Sequence, residues 1–481
     1  MSPELIKTCA FINGEWRPAQ EGRVFAVVNP ANGELITEVA DCSRSDAEAA
    51  VLAAHGAFAS WSKKTADQRA VILKRWHELI IANENALARL LTAEMGKPVS
   101  EALGEIRYGA AYLDWFAAEA RRVYGDVIPS ASSQTRTIVL KQPIGVCAAI
   151  TPWNFPNAML MRKVAPALAV GCTMVAKPAE DTPLSALAVA ALAQEAGLPE
   201  GVLNIVTTSR AAPVGEVLAT HPLVRKISFT GSTEVGRILL RQAADTVKKT
   251  SMELGGNAPF IVFDDCDIDA AIDGVMASKY RNGGQTCVCA NRIFVQGSIH
   301  DAFVAKLSAR VEALNVSPGD KEGAEIGPLI NQKAIEKVEA LVSNALSEGA
   351  SIVVGGNRHK QGALFYAPTI LTGVSNDMEI ARSEIFGPVA SIISFDDDAE
   401  AIALANDTIY GLAAYVYTRG LARAWHMGEA LDYGMVGVNE GIISSVAAPF
   451  GGVKQSGGGR EGSKYGLEDY LEIKYLCLGG L

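Results

Sequence analysis

Between Ser43 and about Arg122, apolar residues recur three and four positions apart, as in SDAEAAVLAAHGAFASW and QRAVILKRWHELIIANENALARLL. That spacing predicts a run of amphipathic helices. Ser45 followed by Glu48 reads as a capping box for the first of them. Beyond this run the period changes. PIGVCAAI (143–150) and GCTMVAKP (171–178) read as buried strands, PLSALAVAALAQEAG as a helix closed by Gly197, and GVLNIVT and VRKISF as further strands. Alternation of this kind predicts an α/β fold built on a parallel, doubly wound sheet.

A second alternating block begins near APFIVF (258–263). It runs through helices at 301–314 and 332–348 to strands SIVVGG, VASIISF and AAYVYT, which predicts a second α/β lobe. TRTIVLK (135–141) and the final DYLEIKYLCLGGL (469–481) alternate with period two but fall outside either rhythm. Strands of this kind serve contacts between copies, or else close a sheet of their own subunit. The expected division is 1–125 and 144–255 for one lobe, 256–455 for the other, and 126–143 with 469–481 for a small β oligomerisation element.

Composition narrows the class. A chain of 481 residues with 49% hydrophobic and 20% charged residues is an ordinary globular protein, and a net charge of -10 argues against nucleic-acid or anionic-membrane partners. The start, MSPELIKTCAFINGEW, has no basic segment followed by an apolar stretch. Eight cysteines are too scattered for a disulfide framework and lack paired zinc spacing. The expectation is a cytoplasmic, soluble protein without a metal.

Candidate chemistry gathers in three stretches. YRNGGQTCVCANR (280–292) sets Cys287 and Cys289 one residue apart behind Gly283 and Gly284, which allow close backbone approach. Backbone N–H groups or a helix N-terminus there would favour a thiolate. TSMELGGNAP (250–259) carries Glu253 before a glycine pair and reads by itself as a helix end with a glycine cap. ITPWNFP (150–156) reads as a turn after a strand, in which Asn154 can satisfy its own backbone. A thiol, a carboxylate and an amide thus fall at strand ends and glycine-rich turns, where α/β proteins build sites.

These stretches, with 176–183, 229–236, 284–287 and 384–388, resemble the NAD(P)-dependent aldehyde dehydrogenase superfamily along nearly the whole chain. GQTCVCANR, NEGIISSVAAPFGGVKQSG and GREGSKYGLEDYLEIKY are similar to the succinate-semialdehyde dehydrogenases within it. The resemblance implies two doubly wound lobes plus the β element, and a homodimer or homotetramer. It implies Cys287 as nucleophile, Asn154 as oxyanion donor and Glu253 as the base that activates water against a thioester.

For the cofactor the resemblance points to Thr151, Pro152, Trp153, Lys177, Glu180, Gly231, Ser232, Glu384 and Phe386. FTGSTEVG (229–236) would set Gly231, Ser232 and a helix N-terminus against a pyrophosphate. A carboxylate at Glu180 accepts from ribose hydroxyls and repels a 2′-phosphate, so NAD is expected over NADP. For the substrate, an aldehyde with a distal carboxylate, it points to Arg162 and Arg281 and to Ser444 or Ser445. Succinate semialdehyde is the expected substrate; the alternative is glutarate semialdehyde, since one methylene gives only about 1–3 kcal/mol of discrimination, or another carboxylated or medium-size aldehyde. Acyl transfer to CoA, thiol hydrolysis and a retired scaffold are the competing readings. In the resembling enzymes a thiol placed as Cys289 is can pair with the catalytic one under oxidation.

Overall fold

The computed structural model describes residues 3–481. Its first lobe is an eight-stranded sheet in the spatial order Gly457–Gly458, Lys249–Glu253, Val224–Thr230, Val146–Ile150, Thr173–Lys177, Leu203–Ile205, Ala10–Ile12, Glu15–Arg17. The middle five strands are parallel, and antiparallel strands flank them. From Val146–Ile150 the chain steps outward through Thr173–Lys177 and Leu203–Ile205, then returns to the opposite side at Val224–Thr230. The strand order therefore reverses between Val146–Ile150 and Val224–Thr230. A crevice opens at such a point beyond the carboxyl ends of the strands.

The second lobe is a seven-stranded sheet, Ser351–Val354, Thr369–Thr372, Val389–Phe395, Ala290–Gln296, Ala258–Val262, Ala413–Tyr417, Met435–Val438. Only its first pair is antiparallel. The two period-two segments pair with each other, Leu471 opposite Pro143 through Gly479 opposite Thr135, and Asp126–Ile128 adds a third strand. This small sheet joins neither lobe's sheet.

The helical run resolves into Arg44–Ser62, Ala66–Ala82, Glu84–Met95 and Val99–Glu119. Trp61 and Trp76 are fully buried, and their indole N–H groups donate to the carbonyls of Leu168 (3.2 Å) and Val189 (2.9 Å). Each ring gives a large apolar area to the core without stranding its polar end, so truncation to alanine would cost about 3–5 kcal/mol. No helix among the described residues is long and apolar enough to cross a membrane.

Two local expectations are corrected. The first helix is capped by Ser43, whose N–H donates to Asp46 at 2.8 Å, and not by Ser45 with Glu48. Ser45 lies inside the helix. Glu253 ends a strand, not a helix: Lys249–Glu253 pairs in parallel with Val224–Thr230 and antiparallel with Gly457–Gly458. Ladder bonds from distant segments override the helix-end signal of the glycines.

Candidate functional site

Three first-lobe strands deliver their ends to one place. Ile150 leads into the turn that carries Asn154 and then the helix Ala158–Val170 with Arg162; Thr230 leads through Gly231 and Ser232 into the helix Thr233–Ala244; the third strand stops at Glu253. Opposite them the second lobe supplies Arg281, Cys287, Glu384, Phe386 and the start of the helix Gln332–Ser347. Together they enclose a cavity of about 620 Å³. Its walls include Pro152, Trp153, Asn154, Arg162, Gly231, Ser232, Glu253, Arg281, Cys287, Glu384, Phe386 and Ser444.

The backbone before the thiol is tightly specified. Asn282 and Gly283 take left-handed conformations (φ 54° and 61°), and at Gly284 a β-carbon would sit 2.1 Å from the carbonyl oxygen of Gly387. Only glycine allows that approach. Cys287 follows in a turn rather than at a helix N-terminus. Burial dominates its proton affinity and pushes the thiol up to about 12, against the pull of Arg162 and with help from Glu384 and Glu253. In the free protein burial therefore favours the neutral thiol over the thiolate.

Asn154 does not satisfy its own backbone. Its Nδ2 donates to the Gln285 carbonyl at 2.9 Å, which leaves the second N–H available. Both carboxyl oxygens of Glu253 are buried without a hydrogen-bond partner. Burial raises its proton affinity well above the carboxylate range, and Glu461 adds to this while Arg162, Lys163 and Arg460 oppose it. A carboxyl raised in this way keeps its proton to higher pH than an exposed one and accepts one readily once ionised.

The two arginines differ. Arg162 is buried, with Nε 3.0 Å from Glu461 and its carbon 3.8 Å from the Phe450 ring centre. Its Nη2 has no partner. Arg281 is half-buried near Glu101, another residue of the cavity wall, and its Nε has no partner either. Of the two serines, Ser444 lines the cavity, whereas Ser445 accepts the Ala447 N–H.

At the other end of the cavity, Ser232 caps the helix Thr233–Ala244 by accepting the Val235 N–H. The positive end of that helix dipole faces the space. Glu384 accepts the Gly256 N–H at 3.0 Å and is raised by burial to about 7. Phe386, held at φ 57°, meets Trp153 edge to face at 5.4 Å. Lys177 and Glu180 pair with each other at 3.2 Å and, with Thr151, lie outside the cavity wall. The hydroxyls of Thr230, on the wall, and of Thr151, outside it, are buried without partners.

Cys289 is also outside the wall. Its sulfur is 3.3 Å from the ammonium of the fully buried Lys279, and all eight cysteines are free. Sequence reasoning missed Glu461, Lys163 and Glu101, the cavity-wall residue Lys337 and the buried Lys97–Glu105 pair. A charged residue beside glycines, as in GREG (459–462), carries no periodic signal that separates it from a solvated loop.

The chain matches the Aldehyde dehydrogenase family over residues 16–476. It is 56% identical to a 3-sulfolactaldehyde dehydrogenase of Pseudomonas putida, over 100% of this chain and 98% of that protein. It is 55% identical to an NADP(+) succinate-semialdehyde dehydrogenase of Escherichia coli, over 99% and 98%. The crystal structure of a succinate-semialdehyde dehydrogenase from Burkholderia pseudomallei superposes with a TM-score of 0.98 at 54% identity, covering 99% of both chains. With this sequence, this fold and a thiol, an amide and a carboxyl around one cavity, the chain belongs to the aldehyde dehydrogenase family.

Proposed function

We propose that the protein oxidises succinate semialdehyde to succinate, with NAD preferred over NADP. The observation that carries this reading is one cavity bordered by Cys287, Asn154 and an unpartnered Glu253, and by two arginines that each keep a nitrogen without a partner. Arg162, Arg281 and Ser444 take the distal carboxylate, whose desolvation their charge-assisted hydrogen bonds offset. The Cys287 thiol releases its proton to solvent, and the thiolate adds to the aldehyde carbon to form a thiohemiacetal. Its oxyanion is held by the free Asn154 N–H and the Cys287 backbone N–H. A nicotinamide cofactor, when bound, supplies the acceptor for the hydride that leaves this carbon. The resulting thioester is hydrolysed by water from which Glu253 takes a proton.

For the cofactor, Gly231, Ser232 and the helix N-terminus receive the pyrophosphate. Glu384 takes a ribose, Trp153 and Phe386 wall the ring, and Lys177 with Glu180 reads the other ribose beside Thr151 and Pro152. Glu180 favours NAD, although a relative of similar identity is named for NADP(+). The three-stranded sheet, with Val127 78% and Ile473 74% exposed, offers apolar area to a second copy in a homodimer or homotetramer. Eight free cysteines suit the reducing cytoplasm.

The test is to follow reduced cofactor with NAD and NADP on succinate semialdehyde, glutarate semialdehyde, 3-sulfolactaldehyde and an uncharged aldehyde of equal length. Preference for the uncharged aldehyde would overturn the arginine assignment. Activity surviving Cys287→Ala would overturn the mechanism.

A further inference from the structure

We propose that Lys97 is a positioning residue for the oxyanion donor: with Glu105 it grips the turn on both sides of Phe155 and Pro156 and so sets the direction of the Asn154 amide. The inference rests on the reading of Asn154 given above. Lys97 stands in the short linker between the helices Glu84–Met95 and Val99–Glu119, and its ammonium is fully buried. It donates to the Asn154 carbonyl at 2.7 Å and to Glu105 Oε2 at 2.7 Å, and it lies 3.8 Å from the centre of the Phe155 ring. The other Glu105 oxygen accepts the N–H groups of Asn157 (2.9 Å) and Ala158 (3.2 Å). Those groups open the helix that carries Arg162.

A single ion pair thus holds the carbonyl that precedes the bend and the N–H groups that follow it. Asn282 Nδ2 adds a second donor to the Asn154 carbonyl at 3.1 Å. With its backbone held from below and one amide proton committed to Gln285, Asn154 has little freedom left in its second N–H. An oxyanion donor must stand within about 0.5 Å of its working position, and residues 151–157 have no ladder or helix of their own to hold it there. Without Lys97 the Asn154 carbonyl keeps one donor, and Glu105 is left buried without its cation.

A double-mutant cycle separates positioning from general support of the fold. Lys97→Met, Asn154→Ala and the double variant are compared by single-turnover formation of reduced cofactor, by cofactor affinity from fluorescence, and by near-UV circular dichroism. Lys97→Met is expected to slow single-turnover reduction roughly 10- to 100-fold with cofactor affinity unchanged. In the Asn154→Ala background it is expected to do nothing further. Losses that multiply in the double variant, or cofactor affinity falling together with the rate, would overturn the proposal. If Asn154→Ala alone left the rate intact, the oxyanion reading would fail first, and the inference with it. Should the Met variant not fold, Lys97→Gln, whose amide still donates one hydrogen bond, carries the same cycle with a smaller expected loss.

Discussion

Arg162 Nε and Glu461 Oε2 lie 3.0 Å apart in the interior, and the neighbouring Lys163 pairs with the same carboxylate. One acid therefore balances two buried cations, one of which faces the cavity. Glu461→Gln leaves both without a counter-charge, and an expected loss of about 3–5 kcal/mol follows from breaking a buried pair. Urea unfolding measures it, and a loss below about 1 kcal/mol would show that the cations find other partners. Because the Glu461 charge raises the proton affinity of Glu253, the rise of the deacylation rate with pH, which follows ionisation of this base, should also move to lower pH.

Burial favours the neutral thiol of Cys287, so the reactive thiolate fraction rises with pH toward about 12. Alkylation of the cofactor-free protein by iodoacetamide should accelerate about tenfold per pH unit from about pH 7 to 10 without levelling. A plateau near pH 8 would mean that a group absent from this picture activates the sulfur. Arg162→Leu should slow the reaction at every pH, since Arg162 is the strongest stabiliser of the thiolate among its neighbours.

Glu384, raised by burial to about 7, is a neutral acid below that pH and a carboxylate above it. In the proposed role of Glu384 as acceptor for a ribose, that capacity is lost as pH falls through 7. Cofactor affinity, titrated by fluorescence, should weaken from pH 8 to pH 6, and Glu384→Gln should flatten that profile. An unchanged slope in the variant would place the titration elsewhere.

Glu180 is half-exposed and pairs with Lys177. Glu180→Ser removes a charge that repels a 2′-phosphate, an effect of at least ~1 kcal/mol for unit charges about 4 Å apart in water. The ratio of kcat/KM for NADP to that for NAD should rise about fivefold or more. An unchanged ratio would move cofactor choice to other residues.

Arg281 has no salt bridge among the described residues, and its Nε is unpartnered. Arg281→Leu should raise KM for succinate semialdehyde by about 10- to 100-fold, the value of one charge-assisted hydrogen bond. KM for an uncharged aldehyde of the same length should change far less. Equal effects on both would assign Arg281 to shaping the cavity.

The long periodic segments were legible because burial of one face repeats at a fixed interval, and the four N-terminal helices fall within the segment predicted from that spacing. Shorter pieces escaped. Ala10–Ile12 and Lys249–Glu253 are three and five residues long and owe their state to strands far away in the chain. Helix starts failed for a related reason: Ser45 with Glu48 fits the capping pattern as well as Ser43 with Asp46, and only the backbone decides. Cys287, Asn154 and Glu253 stand at strand ends and glycine turns, which advertise themselves. Glu461 and Lys97 do not, because their function lies in partners that no local spacing reveals.

The edge strand Gly457–Gly458 and the carboxylate of Glu461 reach the first lobe from the far end of the chain. During vectorial synthesis the helix bearing Arg162 and Lys163 leaves the ribosome long before the acid that neutralises them, at ordinary rates of about 5–20 residues per second. The first lobe must wait, with two cations destined for burial still needing water, while the whole second lobe is made. Nascent chains stopped before residue 457 should thus carry every residue assigned to the thiol chemistry and yet be the species most dependent on chaperones.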